Sequence, residues 1–267
     1  MRADAALVER GLARSRAVAK ELIDAGQVMA AGNRVTKAST PVDPADLTVS
    51  GEIDAWVGRA AYKLLGALEA FPVDPSGRRC LDIGASTGGF TQVLLGRGAR
   101  QVVALDVGHG QLAEAVRTDP RVVERSGTNV RDVGPDLLGG PFELVVADLS
   151  FISLRLVLDT MARLTAPAGD LITLVKPQFE VGRDRLARTG VVTSPHERQR
   201  VLRDVLGAVA AAGLTVHGLT ASPIEGGTGN REYLLWARHE GRGSMSDMEV
   251  RTVLERLLAQ EKGIGRV

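Results

Sequence analysis

The sequence predicts a doubly wound α/β domain preceded by a small α+β module, and three observations lead there. From about residue 60, short apolar runs alternate with helical stretches, the pattern of a parallel sheet covered on both faces. One apolar run, Leu81-Asp82-Ile83, ends in a glycine turn, Gly84-Ala85-Ser86-Thr87-Gly88-Gly89, that opens a helix, as at the ligand edge of a doubly wound sheet. The first fifty residues lack this alternation and form a module of their own. The boundaries are drawn at 1–50 for the module, 51–60 for an interdomain linker and 61–267 for the large domain.

Within the module, residues 4–12 read as a helix. Ser15 is placed as the N-cap of a second helix over 16–25, which Gly26 stops. A hairpin follows over 27–35, turning at Gly32-Asn33. Residues 39–52 carry two prolines with Ser, Thr and Asp, which suits a linker. A helix through 62–68 leads into the large domain. Its strands are predicted at 80–83, 101–106, 121–124, 143–148, 170–175, 214–221 and 231–237. Helices are predicted at 88–97, 111–118, 153–165, 195–213 and 246–260.

The chain has 267 residues, 44% hydrophobic and 24% charged, which suffices for a substantial core. Lys and Arg number 33 against 32 Asp and Glu, so a nucleic-acid partner depends on where the charge is placed. The single cysteine, Cys80, excludes an internal disulfide and fits a reducing, cytoplasmic setting. It opens an apolar strand and reads as core, which argues against cytosine C5 methylation by a cysteine nucleophile. No segment has signal-peptide character or approaches the ~18 apolar residues of a membrane span, so no membrane partner is expected. His109, His196, His217 and His239 lack ligand spacing, and no metal is expected.

The glycine turn carries the cofactor reading. Gly84 lets the backbone approach a ligand, and Gly88 and Gly89 let the next helix start against the sheet. The spacing is Gly-x-x-x-Gly-Gly, not the dinucleotide Gly-x-Gly-x-x-Gly, which points to S-adenosylmethionine. Asp106 ends the second strand 22 residues after Gly84, where a carboxylate can accept bonds from both ribose hydroxyls. The expected cofactor residues are Gly84, Ala85, Ser86, Thr87, Gly88, Asp106, Val107, Asn129 and Asp148. Phe151 is open between walling that pocket and filling core. The loop 177–194, with Arg183, Arg185 and Arg188, reads as a substrate contact.

Two strand ends carry charge directly after apolar runs, at Asp148 and at Lys176. Lys63 lies on the helix before the first strand, and Glu232 begins the last apolar run. Converging, two lysines and two acids would suit methylation of a ribose hydroxyl, a weak acid that needs orientation and a base, for which a partly desolvated lysine serves. Two surface ion pairs are the other reading of the same residues.

At these residues the chain resembles the TlyA-type family, also called hemolysins, ribosomal RNA ribose 2'-O-methyltransferases with an FtsJ-like catalytic domain. The resemblance rests on residues 7–16, on Lys63 through Phe71, Gly84 through Thr91, Asp148-Leu149-Ser150-Phe151-Ile152-Ser153, Val175 through Gly182, and Gly229-Asn230-Arg231-Glu232-Tyr233. It implies a Rossmann-like S-adenosylmethionine methyltransferase domain with Lys63, Asp148, Lys176 and Glu232 as the catalytic set. It also implies a ribosomal-protein-like RNA-binding module, for which Arg2, Arg14, Arg16, Lys37 and Arg59 are the candidate RNA contacts. The implied substrate is a cytidine in ribosomal RNA of the small subunit, and of the large subunit in two-site members. The chain departs from the family pattern at Asp54 through Ala61, at Ser126-Gly127 and at Val28 through Gly32. A small-molecule methyltransferase and a membrane-active hemolysin are the competing functions. The first gives no reason for an RNA-binding module, and the second lacks a membrane-active segment.

Overall fold

The structure is a computed structural model that describes residues 1–13, 16–24, 26–50 and 56–263. It divides into two compact units, Met1–Val57 and Gly58–Val267.

The first unit packs helices α1 (Ala3–Glu9) and α2 (Arg16–Asp24) with a three-stranded antiparallel sheet. The strands are β1 (Val28–Ala30), β2 (Asn33–Arg34) and β3 (Leu47–Val49), in the order β2-β1-β3. Leu7, Ile23, Val28, Val35 and Leu47 form its core. Two details differ from the sequence reading. The hairpin turns at Ala31-Gly32, because the Val35 N–H bonds the Val28 carbonyl (2.9 Å) and so keeps both buried valines on the core side. Residues 47–49, read as part of a linker, form β3: Asp43 caps the turn Pro44–Asp46, which delivers Leu47 into the core. Three residues are too few for alternation to show in the sequence. Ser15, the expected N-cap of α2, lies outside the described residues.

In the second unit, α3 (Ala60–Ala70) precedes β4 (Arg79–Ile83). There follow α4 (Gly89–Gly96), β5 (Gln101–Leu105), α5 (Glu114–Arg117), β6 (Val122–Arg125), α6 (Pro135–Leu138) and β7 (Phe142–Ala147). The chain continues through α7 (Leu158–Leu164), β8 (Thr165–Val175), α8 (Pro177–Glu180), α9 (Pro195–Ala211), β9 (Thr215–Ala221), β10 (Tyr233–Arg238) and α10 (Asp247–Gly263). The seven strands lie in the order β6-β5-β4-β7-β8-β10-β9. Successive residues of β4 and β7 are buried although they point to opposite faces, so the sheet is covered on both sides.

The sheet is not wholly parallel: β10 pairs antiparallel with both β8 and β9. Only residues 222–232 connect β9 to β10, too short a link for a helical crossover, so the chain reverses instead. The predicted helix at 111–118 shrinks to α5, because Ala113 is still extended (ψ 142°). The predicted helix at 153–165 becomes a 3₁₀ turn, Leu154–Leu156, followed by α7. Strand β8 starts at Thr165, earlier than the Pro and Gly at 167 and 169 suggest. A register shift against β7, between Phe142 and Leu144, absorbs those residues.

The strand order reverses between β4 and β7, so the crevice beyond their carboxyl ends is the ligand edge. Gly84, Asp106, Asp148 and Lys176 follow the ends of β4, β5, β7 and β8. Because β10 runs the other way, with Tyr233 opposite Val175, Glu232 arrives at the same edge from the start of its strand.

Asp82, in the middle of β4, is fully buried; its Oδ2 accepts from the Thr91 hydroxyl at 2.6 Å, and among the described residues its Oδ1 has no hydrogen-bond partner. Burial pushes this carboxyl up to about 7, against the opposing effect of the Thr91 bonds. A folded-state value above the unfolded one means stability is present at low pH and is lost as pH rises from about 4 to 7. Asp82→Asn, which keeps an acceptor for Thr91 and does not titrate, should therefore gain stability over the native chain across that window and hold the gain above it. Urea midpoints of the two proteins at a series of pH values check this; a pH-independent difference would contradict it.

Candidate active site

The four charged residues converge. Lys63 Nζ lies 2.7 Å from Glu232 Oε2 and 3.3 Å from Asp148 Oδ2. Lys176 Nζ lies 2.6 Å from Asp148 Oδ1, a contact of charges without hydrogen-bond alignment, and donates to Ser150 Oγ at 2.9 Å. Asp148 thus bridges the two ammonium groups, one on each oxygen. All four side chains are no more than 11% exposed. Buried charges at this depth persist only when mutually compensated, so two surface ion pairs are not what the chain builds.

The local sequence explains how each charge is delivered. Asp148 and Lys176 follow apolar strands, and the strands' burial fixes where the next residue falls. The Asp148 N–H continues the β7 ladder by bonding the Ile83 carbonyl at 3.1 Å. On α3, Leu64 and Ala67 share the buried side with Lys63. Gly66 in that helix has no side chain because a Cβ would lie 2.7 Å from Pro223. That close approach presses α3 onto the 222–232 turn that carries Glu232.

A cavity of about 370 Å³ opens beside this cluster. Of the expected cofactor residues, Gly84, Ser86, Asp106, Val107 and Asp148 line it, together with Thr128, Leu149, Ser150 and Phe151. Gly84 has φ +82°, and a Cβ there would lie 2.8 Å from the Asp148 carbonyl oxygen. The glycine turn and the end of β7 thus meet with no side chain between them. Asp106 Oδ2 accepts from the Ser86 N–H and Oδ1 from the Gly108 N–H, both at 2.8 Å. Each oxygen keeps a lone pair for a further donor. Val107 is 65% exposed, an apolar surface that a planar ring would cover.

The other expected residues are not among those that line the cavity. Ala85 is buried, the Thr87 carbonyl accepts from the Ala113 N–H, and Gly88 packs against Val116 and Leu112. Asn129 spends its side chain capping the turn Val130–Asp132, with its oxygen accepting the Arg131 N–H. Phe151 is 92% exposed with φ +63° and stacks on Phe179 at 5.2 Å, so the core reading of this ring is overturned. The sequence reading missed Ser150 and Glu180. Glu180 is buried and accepts from Ser153 Oγ and the Leu154 N–H, both at 2.6 Å. Its only signal was its place in the stretch after β8.

The candidate RNA contacts are spread over both units. In the first, Arg2 and Arg16 both pair with Asp4. The hydrogen bonds from Arg2 lead in holding that carboxyl at about 2. Both guanidiniums stay more than half exposed, and Lys37 is exposed. Arg14 lies outside the described residues. In the second unit, Arg59 is exposed and donates to the Glu225 carbonyl at 3.2 Å. Among the described residues no group of His, Cys, Asp and Glu could hold a metal ion, and no helix is long and apolar enough to cross a membrane.

Residues 56–239 match the FtsJ-like methyltransferase family and residues 1–47 match the S4 domain. The chain is 49% identical over 261 residues to the 16S/23S rRNA (cytidine-2'-O)-methyltransferase TlyA of Mycobacterium tuberculosis, covering 97% of each chain. It is 36% identical to the 23S rRNA (cytidine-2'-O)-methyltransferase TlyA of Campylobacter jejuni, over 68% of this chain and 71% of that one. A solved structure from Streptococcus thermophilus bearing a hemolysin label superposes with a TM-score of 0.78 at 36% identity, covering 98% of this chain and 96% of that one.

The cluster's energetics can be separated from its chemistry. Lys63→Met should leave the buried Glu232 carboxylate without a cationic partner and destabilise the fold by about 3–5 kcal/mol. Adding Glu232→Leu should recover part of that loss, a non-additivity expected of groups in contact. Urea unfolding of the two single variants and the double variant reads it; strictly additive losses would mean that the two charges do not interact.

Proposed function

The chain belongs to the TlyA family of FtsJ-like methyltransferases, and on that premise we propose that it transfers a methyl group from S-adenosylmethionine to the ribose 2'-oxygen of a cytidine in ribosomal RNA. The observation that carries this reading is the buried pair of lysines and pair of carboxylates beside the sheet-edge cavity. Small-subunit RNA is the first substrate class, and large-subunit RNA the second.

The cofactor would supply a methyl group on a positively charged sulfur. Gly84 fits its close approach, because the turn there leaves no room for a side chain. The free lone pairs of Asp106 suit two ribose hydroxyls, and the exposed face of Val107 suits an adenine ring. Ala85, Ser86, Thr87 and Gly88 contribute the shape and N–H groups of the turn, and Asn129 acts through its backbone. At the reacting end, Lys176 takes the proton of the 2'-hydroxyl. Asp148 orients Lys176 and keeps it close to Lys63. Glu232 balances Lys63, so the cluster stays near neutral while the proton moves.

Substrate recognition falls to the S4 domain. Arg2 and Arg16, braced on Asp4, present guanidiniums suited to phosphate, and Lys37 and Arg14 add charge on the same module. Arg59, in the second unit, is a further candidate contact. A small-molecule substrate would leave this module without a purpose. Ribosomal subunits as partners place the work in the cytoplasm.

Lys176→Ala should lower methyl transfer to ribosomal RNA by at least ~100-fold, the effect of losing a positioned base. Cofactor affinity by calorimetry should hold, since the glycine turn and Asp106 are untouched. Lys176→Arg should not restore the rate, because a guanidinium stays protonated. Full methylation by Lys176→Arg would show that this residue does not remove the proton.

A further inference from the structure

The two lysines of the cluster are held differently, and the difference has a chemical use. Among the described residues, the partners of Lys63 are the carboxylates of Asp148 and Glu232. Lys176 has one carboxylate contact and one aligned hydrogen bond, to the neutral hydroxyl of Ser150 at 2.9 Å. Of these two partners, only Ser150 takes an aligned hydrogen bond from Lys176; the contact with Asp148 lacks that alignment. The serine hydroxyl therefore fixes the rotation of the amine about its terminal bond, and with it the direction of the nitrogen lone pair when Lys176 acts as base. Ser150 also lines the cavity beside the cluster, so the nitrogen is held from the cavity side.

The loop that carries Ser150 is fixed at both ends. Asp148 is tied to β4 through the Ile83 carbonyl, and Ser153 and Leu154 are tied to the buried carboxylate of Glu180. Between these anchors Phe151 has φ +63°, a conformation that a bulky residue adopts only when its surroundings impose it. A serine on so constrained a loop has a defined place relative to Lys176.

We propose that Ser150 is a positioning residue for methyl transfer: its hydroxyl sets the rotation of the Lys176 amine so that the lone pair faces the substrate hydroxyl. The inference rests on the assignment of Lys176 as base. In the step it serves, the 2'-oxygen forms a bond to the methyl carbon, and the carbon–sulfur bond breaks with its electron pair going to sulfur. The hydroxyl proton moves to the Lys176 nitrogen, which ends as an ammonium held by Asp148 and Ser150.

The test is single-turnover methylation of ribosomal RNA by the full chain, with cofactor and RNA saturating. Ser150→Ala should slow the step by about tenfold with cofactor affinity and RNA KM unchanged, the size of effect expected of an orienting hydrogen bond rather than of the base itself. Ser150→Thr, which restores the hydroxyl at this exposed position, should recover most of the rate. Ser150→Ala should add no further loss in a Lys176→Ala background, because the serine acts through the lysine. A full rate for Ser150→Ala beside a slow Lys176→Ala would overturn the serine's role alone. An additive loss in the double variant, or failure of threonine to recover the rate, would overturn it as well. A full rate for Lys176→Ala would remove the base and the serine's role together.

Discussion

Two lysines and two carboxylates can be buried together only if each charge finds its opposite, and the ligand edge of the large unit is organised around that requirement. Asp148 is central, with one oxygen on each lysine. Remove it and two ammonium groups face each other in a site with little water; remove a lysine and a carboxylate is stranded. The cluster therefore constrains four separate chain segments at once: α3, the ends of β7 and β8, and the start of β10. A local change in any of them is felt at the reacting position, because buried opposite charges interact strongly.

The antiparallel strand β10 makes this closure possible. In an all-parallel sheet, carboxyl ends alone meet the ligand edge, and a residue preceding a strand lies at the far side. Reversing β10 brings Glu232 beside the residue that follows β8, and the Gly66–Pro223 contact brings α3 down to meet it. Around this, Glu180 ties the loop after β7 to the segment after β8, so the loops carrying Asp148 and Lys176 are joined by hydrogen bonds as well as by charge. The glycine turn approaches the same point from β4, with nothing but backbone between Gly84 and Asp148.

Much of this was legible in the sequence, for identifiable reasons. Apolar runs such as Leu144 through Ala147 mark buried strands, and a charge straight after such a run marks the strand's end, which is why Asp148 and Lys176 could be singled out. Gly84 stood out because a strand running into glycines has few other uses. The direction of β10 was hidden, since hydrophobic pattern does not encode strand polarity and only the short 222–232 link hints at it. The third strand of the first unit was hidden by its three-residue length. Ser150 and Glu180 were hidden because their roles lie in partners distant in sequence: Ser150 is 26 residues from Lys176, and Glu180 is 26 from Leu154. Asn129 was expected among the cofactor residues, and its side-chain oxygen caps the turn Val130–Asp132.

The central claim is that this edge directs a methyl group to a ribose oxygen of ribosomal RNA. The most direct measurement incubates the full chain with ribosomal subunits and isotope-labelled S-adenosylmethionine, digests the RNA to nucleosides and identifies the labelled one by mass spectrometry. The account predicts label in 2'-O-methylcytidine, with none when Asp148→Ala replaces the native chain. Label in a base-methylated nucleoside, or labelling that survives Asp148→Ala, would contradict it.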